Sequence, residues 1–394
     1  MSSGFAFIQE RLAQAQAHNT YRQRVCVENQ HHTLMKVGDK HYLNFSSNDY
    51  LGMRQSQTVL QAWFDGLCIY GGGSGASPLV TGLSKAHRAL EDYLAEQLRR
   101  DKVLLFNSGF AANQAICQAL CVDNTFHAKG VKQVIADKLV HASFVEGVQS
   151  TDARFKRFCH NDMSHLQQLI GDERGYLIAS ESIFSMDGDM AEVDALVRLA
   201  AQSDSWLMLD DAHGMGVLGD KGLGVAEHCN LTQDQLPVLM GTFGKAIGTA
   251  GAFIAGSEAL IDYLINFSRH YIYSTAMPPA QATATLASLQ HLVGGQARQQ
   301  LADNIAYFKH LIKQSSWQLL PSASAIQPVL VGDEKRAVQL SQQLASLGIW
   351  ATAIRSPTVP RGQARLRITL TSQHSRQDIA ALVDALCLVE KDVA

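Results

Sequence analysis

Leu239-Met240-Gly241-Thr242-Phe243-Gly244-Lys245-Ala246-Ile247-Gly248 is the stretch on which the reading of this chain turns. Pro237 to Met240 is a short apolar run of the kind that forms a buried strand. It hands a Thr, a Gly and a single Lys to a loop of small residues. An amine at a strand end, among Gly and Ala with little competing charge, can lose its proton and attack a carbonyl. A lone Lys in such a loop is more often a solvated turn residue, so the rest of the chain has to decide.

Outward from this run, strands and helices alternate. Val103–Phe106, Val134–Ala136, Tyr176–Ser180, Trp206–Leu209, Val238–Gly241 and Gly251–Ala255 read as strands, with helical patterns at 143–150, 162–170 and 192–203. That rhythm predicts an α/β fold: a mostly parallel sheet covered by helices, with functional residues at the carboxyl ends of its strands. Upstream, Phe5, Ile8, Leu12 and Ala15 predict an amphipathic helix within 5–24, and Gly38-Asp39 joins a hairpin of Thr33–Val37 and Lys40–Phe45. Gly71-Gly72-Gly73-Ser74-Gly75-Ala76-Ser77-Pro78 lacks phosphate-loop spacing and reads as backbone passing close to a ligand or a second chain. A helix follows from His87 to Arg99. Beyond Pro278-Pro279 a long helical stretch (280–315) leads to a smaller α+β unit. Its parts are Ile326–Val331, a helix at 334–347, Trp350–Ile354, Arg365–Thr371 and a last helix at 376–389. The expected division is an N-terminal arm over 1–47, a large domain over 48–285 and a small C-terminal domain over 286–394.

Composition narrows the function. A net charge of −3 without a basic or acidic block argues against nucleic acid or a membrane surface as partner. No run reaches the roughly 18 apolar residues of a membrane span, and the N-terminus has no basic-then-apolar leader. The seven Cys are scattered, odd in number and without His or Cys at zinc spacing, so free thiols, no metal and a cytoplasmic location are expected.

Four features lie at or near predicted strand ends. Asp210-Asp211-Ala212-His213-Gly214 leaves the strand Trp206–Leu209, and a carboxylate there needs a cationic or N–H partner. Ser108-Gly109-Phe110-Ala111 opens a helix whose free N–H groups suit a phosphate. His141 follows another strand, where an imidazole can stack on a flat ring or bond a substrate. Arg365-Leu366-Arg367 alternates along a strand, placing two guanidinium groups on one face, and a forked guanidinium reads a carboxylate. Each is weak alone. Together a covalent Lys, an Asp, a stacking ring, a phosphate anchor and a carboxylate-binding Arg are what pyridoxal phosphate and an amino-acid substrate need.

The ordered motifs Ser-Ser-Asn-Asp-Tyr-Leu-Gly (46–52), Asn-Ser-Gly-Phe-Ala-Ala-Asn (107–113), Ser-Met-Asp-Gly-Asp (185–189), Asp-Asp-Ala-His-Gly (210–214), Thr-Phe-Gly-Lys (242–245) and Tyr-Ser-Thr-Ala-Met-Pro-Pro-Ala (273–280) then continue to Thr-Val-Pro-Arg-Gly-Gln-Ala-Arg-Leu-Arg (358–367). This set resembles the α-oxoamine synthases, fold-type-I pyridoxal phosphate enzymes, from about residue 5 to 390. The resemblance implies a decarboxylative condensation of an amino acid with an acyl thioester. It is nearest the branch that joins L-alanine to a pimeloyl thioester, on acyl carrier protein or coenzyme A, in biotin synthesis. It implies Lys245 as the Schiff-base lysine, Asp210 facing the pyridine nitrogen, His213 the ring hydroxyl, and His141 stacked on the ring. Gly109, Phe110, Ser185 and Thr242 would complete the cofactor and phosphate contacts. Arg367 would hold the amino-acid carboxylate, with Arg22 and Thr358 also at substrate-binding positions. The site would lie at a homodimer interface, with Ser274 and Thr275 reaching the neighbour's phosphate and 71–82 lining the acyl entry.

Two departures stand out. Ser356 replaces a Pro usual in the family's loop, and 122–133 is longer than the usual connection. Other α-oxoamine synthases, which use glycine or serine with acetyl, succinyl or palmitoyl thioesters, share these cofactor positions. A nicotinamide-dependent oxidoreductase would want Gly-x-Gly-x-x-Gly straight after a first strand, whereas Gly71–Gly75 precedes any confident one. A non-catalytic relative would be expected to have lost Lys245 or Asp210, and both are present.

Overall fold

The computed structural model describes residues 3–17, 20–121 and 133–391, so the 122–133 connection lies, Gln133 apart, outside the described residues. Seven strands form the central sheet. Their order across it is Lys102–Phe106, Ala252–Gly256, Val238–Thr242, Trp206–Asp210, Leu177–Glu181, Gln133–Asp137 and Arg154–Phe158. Ala252–Gly256 runs antiparallel to both its neighbours, and every other pairing is parallel.

The strands Leu177–Glu181, Val238–Thr242 and Ala252–Gly256 are buried throughout. Successive side chains therefore feed two cores on opposite faces. Ile178, Leu207, Leu209, Leu239 and Phe253 pack into one, and Leu177, Ala179, Met208, Met240 and Ile254 into the other. This double burial is why the strands read as continuous apolar runs. Gly241 is required inside the sheet, since a Cβ there would stand 2.5 Å from the Phe253 ring.

The edge strand Arg154–Phe158 was not expected from sequence. Its Arg154, Lys156 and Arg157 hide it from an apolar-run search, and such charges are what blunt an exposed sheet edge. The Gln57–Tyr70 helix was also not expected, because it carries a Gly mid-helix and an exposed apolar side. Gly66 lets it cross the Pro279–Leu292 helix closely, since a Cβ would lie 2.7 Å from Ala280 Cα.

The long helix expected over 280–315 is two helices, Pro279–Leu292 and Gln296–Leu311, broken where Gly295 adopts a left-handed φ of 76°. The expected strand Trp350–Ile354 is likewise split. Ile349–Trp350 pairs in parallel with Leu43–Asn44 of the N-terminal hairpin, and Thr352–Ile354 pairs with Arg365–Arg367. The chain thus passes from one small sheet to another within three residues. Ala364–Thr369 sits between Ile326–Gly332 and Thr352–Ile354 in an antiparallel sheet, which fixes the direction in which Arg367 points. The N-terminal helix is shorter than expected, Phe7–Ala17, and buries none of its residues in the chain, so Phe5, Ile8 and Leu12 remain exposed.

Candidate active site

The parallel strands end at one edge of the central sheet, and Asp137, Glu181, Asp210 and Thr242 are each the last residue of their strand. Asp210 and Glu181 are register partners on adjacent parallel strands. The turn after Thr242 carries Lys245, half-buried, with its Nζ 2.8 Å from His213 Nε2. His213 is in turn 2.6 Å through Nδ1 from the Tyr50 hydroxyl. Lys245, His213 and Asp210, called from sequence, therefore meet at one place.

The electrostatics of this cluster suit a nucleophilic amine. Burial lowers the Lys245 ammonium to about 8, against the opposing pull of Asp210 and Glu181. Burial, then the positive charges of Lys245 and Arg367, hold His213 well below the usual imidazole range, so it is neutral. Burial and the Asp210 charge push the Glu181 carboxyl well up, and one of its oxygens is buried without a hydrogen-bond partner. Burial raises the Tyr50 phenol to about 12.

Asp210 is pinned at both oxygens: Ala212 N donates to Oδ1 at 3.0 Å and Asn113 Nδ2 to Oδ2 at 2.8 Å. His141 caps the Ala142–Gln149 helix, accepting at Nδ1 from Ser143 N (3.2 Å) and lying 2.7 Å from Ser143 Oγ. Its ring is exposed in an open cleft of about 820 Å³ whose walls include Ser185 and Thr358. Ser185 lies in a turn whose carbonyl accepts from Arg367 Nε at 2.7 Å.

Of the two arginines on one strand face, only Arg367 belongs to this cluster. Arg365, fully buried, is spent on Asp187 in an ion pair and on the Gln363 carbonyl. Arg367 also donates to Thr369 Oγ1 at 3.0 Å and Asn48 Oδ1 at 3.2 Å. The Thr242 hydroxyl donates to the Gly251 carbonyl at 2.8 Å.

Gly109 and Phe110 start the Gly109–Cys121 helix. A Cβ on Gly109 would meet nothing nearer than Met240 Cε at 3.6 Å, so only a group arriving from outside the chain would require glycine there. Ser274 and Thr275 line a small cavity with Asn107, whose Nδ2 donates to the Thr275 carbonyl at 2.7 Å. Arg22 is exposed; its neighbours Tyr21 and Gln23 line a second broad cleft with Arg355 and Arg361.

Sequence reasoning did not single out Glu181, Asn113, Ser143 or Tyr50. A carboxylate closing the run Leu177-Ile178-Ala179-Ser180, just as Asp210 closes its own strand, would have flagged Glu181. Asn113 and Tyr50 carry no such signal, because their partners are 30 to 163 residues away, and Ser143 stands beside His141 but meets Asn113 only in the fold.

An amine of lowered proton affinity, a pinned carboxylate, an imidazole facing a cleft, a helix N-terminus and a guanidinium make a donor set that fits pyridoxal phosphate. The fold and site thus define a pyridoxal phosphate enzyme of the class I and II aminotransferase family, whose profile matches residues 40–386. Within that class, the chain belongs to the 8-amino-7-oxononanoate synthases. It is 46% identical to the Aeromonas salmonicida 8-amino-7-oxononanoate synthase, covering 95% of this chain and 92% of that one. A crystal structure of 8-amino-7-oxononanoate synthase from Francisella tularensis superposes with a TM-score of 0.77 at 29% identity, covering 89% of this chain and 98% of that one. A serine palmitoyltransferase solved with pyridoxal phosphate superposes with a TM-score of 0.90 at 25% identity over 99% and 98% of the two chains.

Proposed function

We propose that the chain condenses L-alanine with a pimeloyl thioester to give 8-amino-7-oxononanoate, carbon dioxide and the free thiol carrier, the step expected of its family in biotin synthesis. The observation that carries this reading is the Lys245 amine, 2.8 Å from His213 and lowered to about 8 by burial, on the same sheet edge as Asp210. Pyridoxal phosphate, when bound, supplies an aldehyde for amines and an electron-accepting ring. Lys245 would hold the cofactor covalently and, once released, take the proton from alanine Cα and return one at the end. Asp210 would keep the ring nitrogen protonated, and His213 would bond the ring hydroxyl. His141 would stack on the ring and face the substrate. Backbone of Gly109 and Phe110 with Ser185 and Thr242 would hold the rest of the cofactor, and Arg367 would take the alanine carboxylate, with Arg22 and Thr358 as further substrate-binding residues. The new carbon–carbon bond joins alanine Cα to the thioester carbonyl as the thiol leaves, and the carboxyl group then departs as carbon dioxide.

The acyl carrier is acyl carrier protein or coenzyme A, and the working unit is a homodimer in which Ser274 and Thr275 serve the neighbour's site. In support of a partner copy, Leu60, Phe64, Leu67 and Ile69 of the Gln57–Tyr70 helix are exposed, as are Leu79 and Val80. The proposed location is the cytoplasm. Among the described residues no helix is long and apolar enough to cross a membrane.

The test is the visible spectrum of the protein loaded with pyridoxal phosphate, before and after L-alanine. A yellow band that shifts with alanine and is lost in Lys245→Ala is expected. A protein that cannot take up the cofactor would end this reading.

A further inference from the structure

Asn113 lies in the Gly109–Cys121 helix, 1% exposed, and its side-chain oxygen is buried with no hydrogen-bond partner. A residue serving only to pack would not carry an amide whose oxygen is left unpaired. Its nitrogen explains the choice. Nδ2 donates to Asp210 Oδ2 at 2.8 Å and to Ser143 Oγ at 3.0 Å, so both amide protons are used. The reverse amide orientation would set an oxygen against a carboxylate.

The one donor of fixed direction sets the proton order. The Ser143 backbone N–H donates to His141 Nδ1, which makes Nδ1 an acceptor. The Ser143 hydroxyl, accepting from Asn113, gives its own proton to the same Nδ1 at 2.7 Å, and the longer backbone bond shares that lone pair. A neutral His141 consequently carries its proton on Nε2. Asp210 and His141 come from different strand ends and do not share a turn, yet one amide and one hydroxyl set both.

We propose that Asn113 and Ser143 are positioning residues: the Asn113 amide orients the Asp210 carboxylate and, through the Ser143 hydroxyl, fixes His141 as the Nε2–H imidazole, so that the two side chains meeting the cofactor ring are held as one unit. The inference rests on the reading that Asp210 and His141 contact pyridoxal phosphate. It adds that their geometries are coupled through residues touching neither substrate nor cofactor.

The test is a double-mutant cycle on cofactor affinity. Pyridoxal phosphate is titrated into the full-length, cofactor-stripped chain for the wild type, Asn113→Ala, His141→Ala and the double variant. A lost hydrogen bond to a charged group predicts a weakening of about tenfold or more for Asn113→Ala. The part of that loss that passes through Ser143 has no target once His141 is gone, so the same substitution made on His141→Ala should cost less than it does in the wild type. Equal losses in both backgrounds would reduce Asn113 to a local partner of Asp210 and overturn the coupling.

Should Asn113→Ala not fold, Ser143→Ala decides. Histidine ¹⁵N spectra should show His141 with its proton on Nε2 in the wild type and a larger Nδ1–H share in Ser143→Ala, where the backbone N–H at 3.2 Å is the one Ser143 donor left to Nδ1. An Nδ1–H wild type, or an unchanged spectrum in the variant, would refute the proposal. A wild-type chain that binds no pyridoxal phosphate would instead bring down the underlying reading, and the proposal with it.

Discussion

Arg367→Lys tests the assignment of the substrate carboxylate most sharply. Arginine has five N–H donors. Three are already committed in the structure: Nε to the Ser185 carbonyl (2.7 Å), Nη1 to Thr369 Oγ1 (3.0 Å) and Nη2 to Asn48 Oδ1 (3.2 Å). One N–H on each terminal nitrogen remains, and that pair can meet a carboxylate with two bonds. Lysine keeps the charge but concentrates its donors at one point, so it cannot hold the Ser185 turn and present a fork at once. Losing one charge-assisted bond is worth about 1.5–3 kcal/mol, or roughly 10- to 150-fold in affinity. We therefore expect the KM for L-alanine to rise by about tenfold or more with a smaller change in kcat, and the alanine-induced shift of the cofactor band to need correspondingly more alanine. Cofactor affinity should change less, because Arg367 is not assigned to the cofactor. An unchanged alanine KM in a folded, cofactor-loaded Arg367→Lys protein would refute the assignment.

Glu181→Gln should be tolerated. Burial, with the Asp210 charge, raises the Glu181 carboxyl well above its ordinary value, so the folded protein holds a proton there that the unfolded chain releases above its usual carboxyl range. That linkage costs stability as pH rises through neutrality, and the amide removes it. The unfolding midpoint of Glu181→Gln relative to wild type should thus be higher at pH 8 than at pH 5; a difference independent of pH would mean that Glu181 is ionised in the fold. His160 makes the opposite case. Burial works against its charge, but Asp137 at 3.1 Å and Asp189 at 2.8 Å raise it to about 10. Its contribution is complete below the ordinary histidine value and is lost as pH climbs toward 10, so wild-type thermal stability should fall across that window more steeply than that of His160→Gln. Parallel pH curves would exclude the ion pairs. Gly241→Ala should lower stability by about 1–3 kcal/mol through overpacking, since the new Cβ must displace the Phe253 ring. An unfolding midpoint equal to wild type would show that the ring can move aside freely.

The sheet was legible because its central strands are buried on both faces and leave continuous apolar runs, and because polar residues break those runs at the strand end, as Asp210 does, or in the turn just beyond, as Lys245 does. Arg154–Phe158 was not legible, since an edge strand needs charge and so looks like a loop. The break at Gly295 and the split at Ala351 depended on contacts with other elements, and local pattern does not report those.

The sequence alone placed Asp210, His213 and Lys245 at or just past the ends of buried strands, to within a residue of where those strands stop, because strand ends and turns are written in neighbouring residues. Strand alternation did not distinguish Arg365 from Arg367, which share a face, and Arg367 was singled out by resemblance alone; the packed structure supplies a physical difference, by placing Asp187 against Arg365 and Ser185 and Asn48 against Arg367. Tertiary structure likewise decided the environment of each group: the burial that lowers Lys245, the phenol behind His213 and the amide between Asp210 and Ser143. These are properties of residues far apart in the chain, and hydrogen bonding and desolvation act on distance in space.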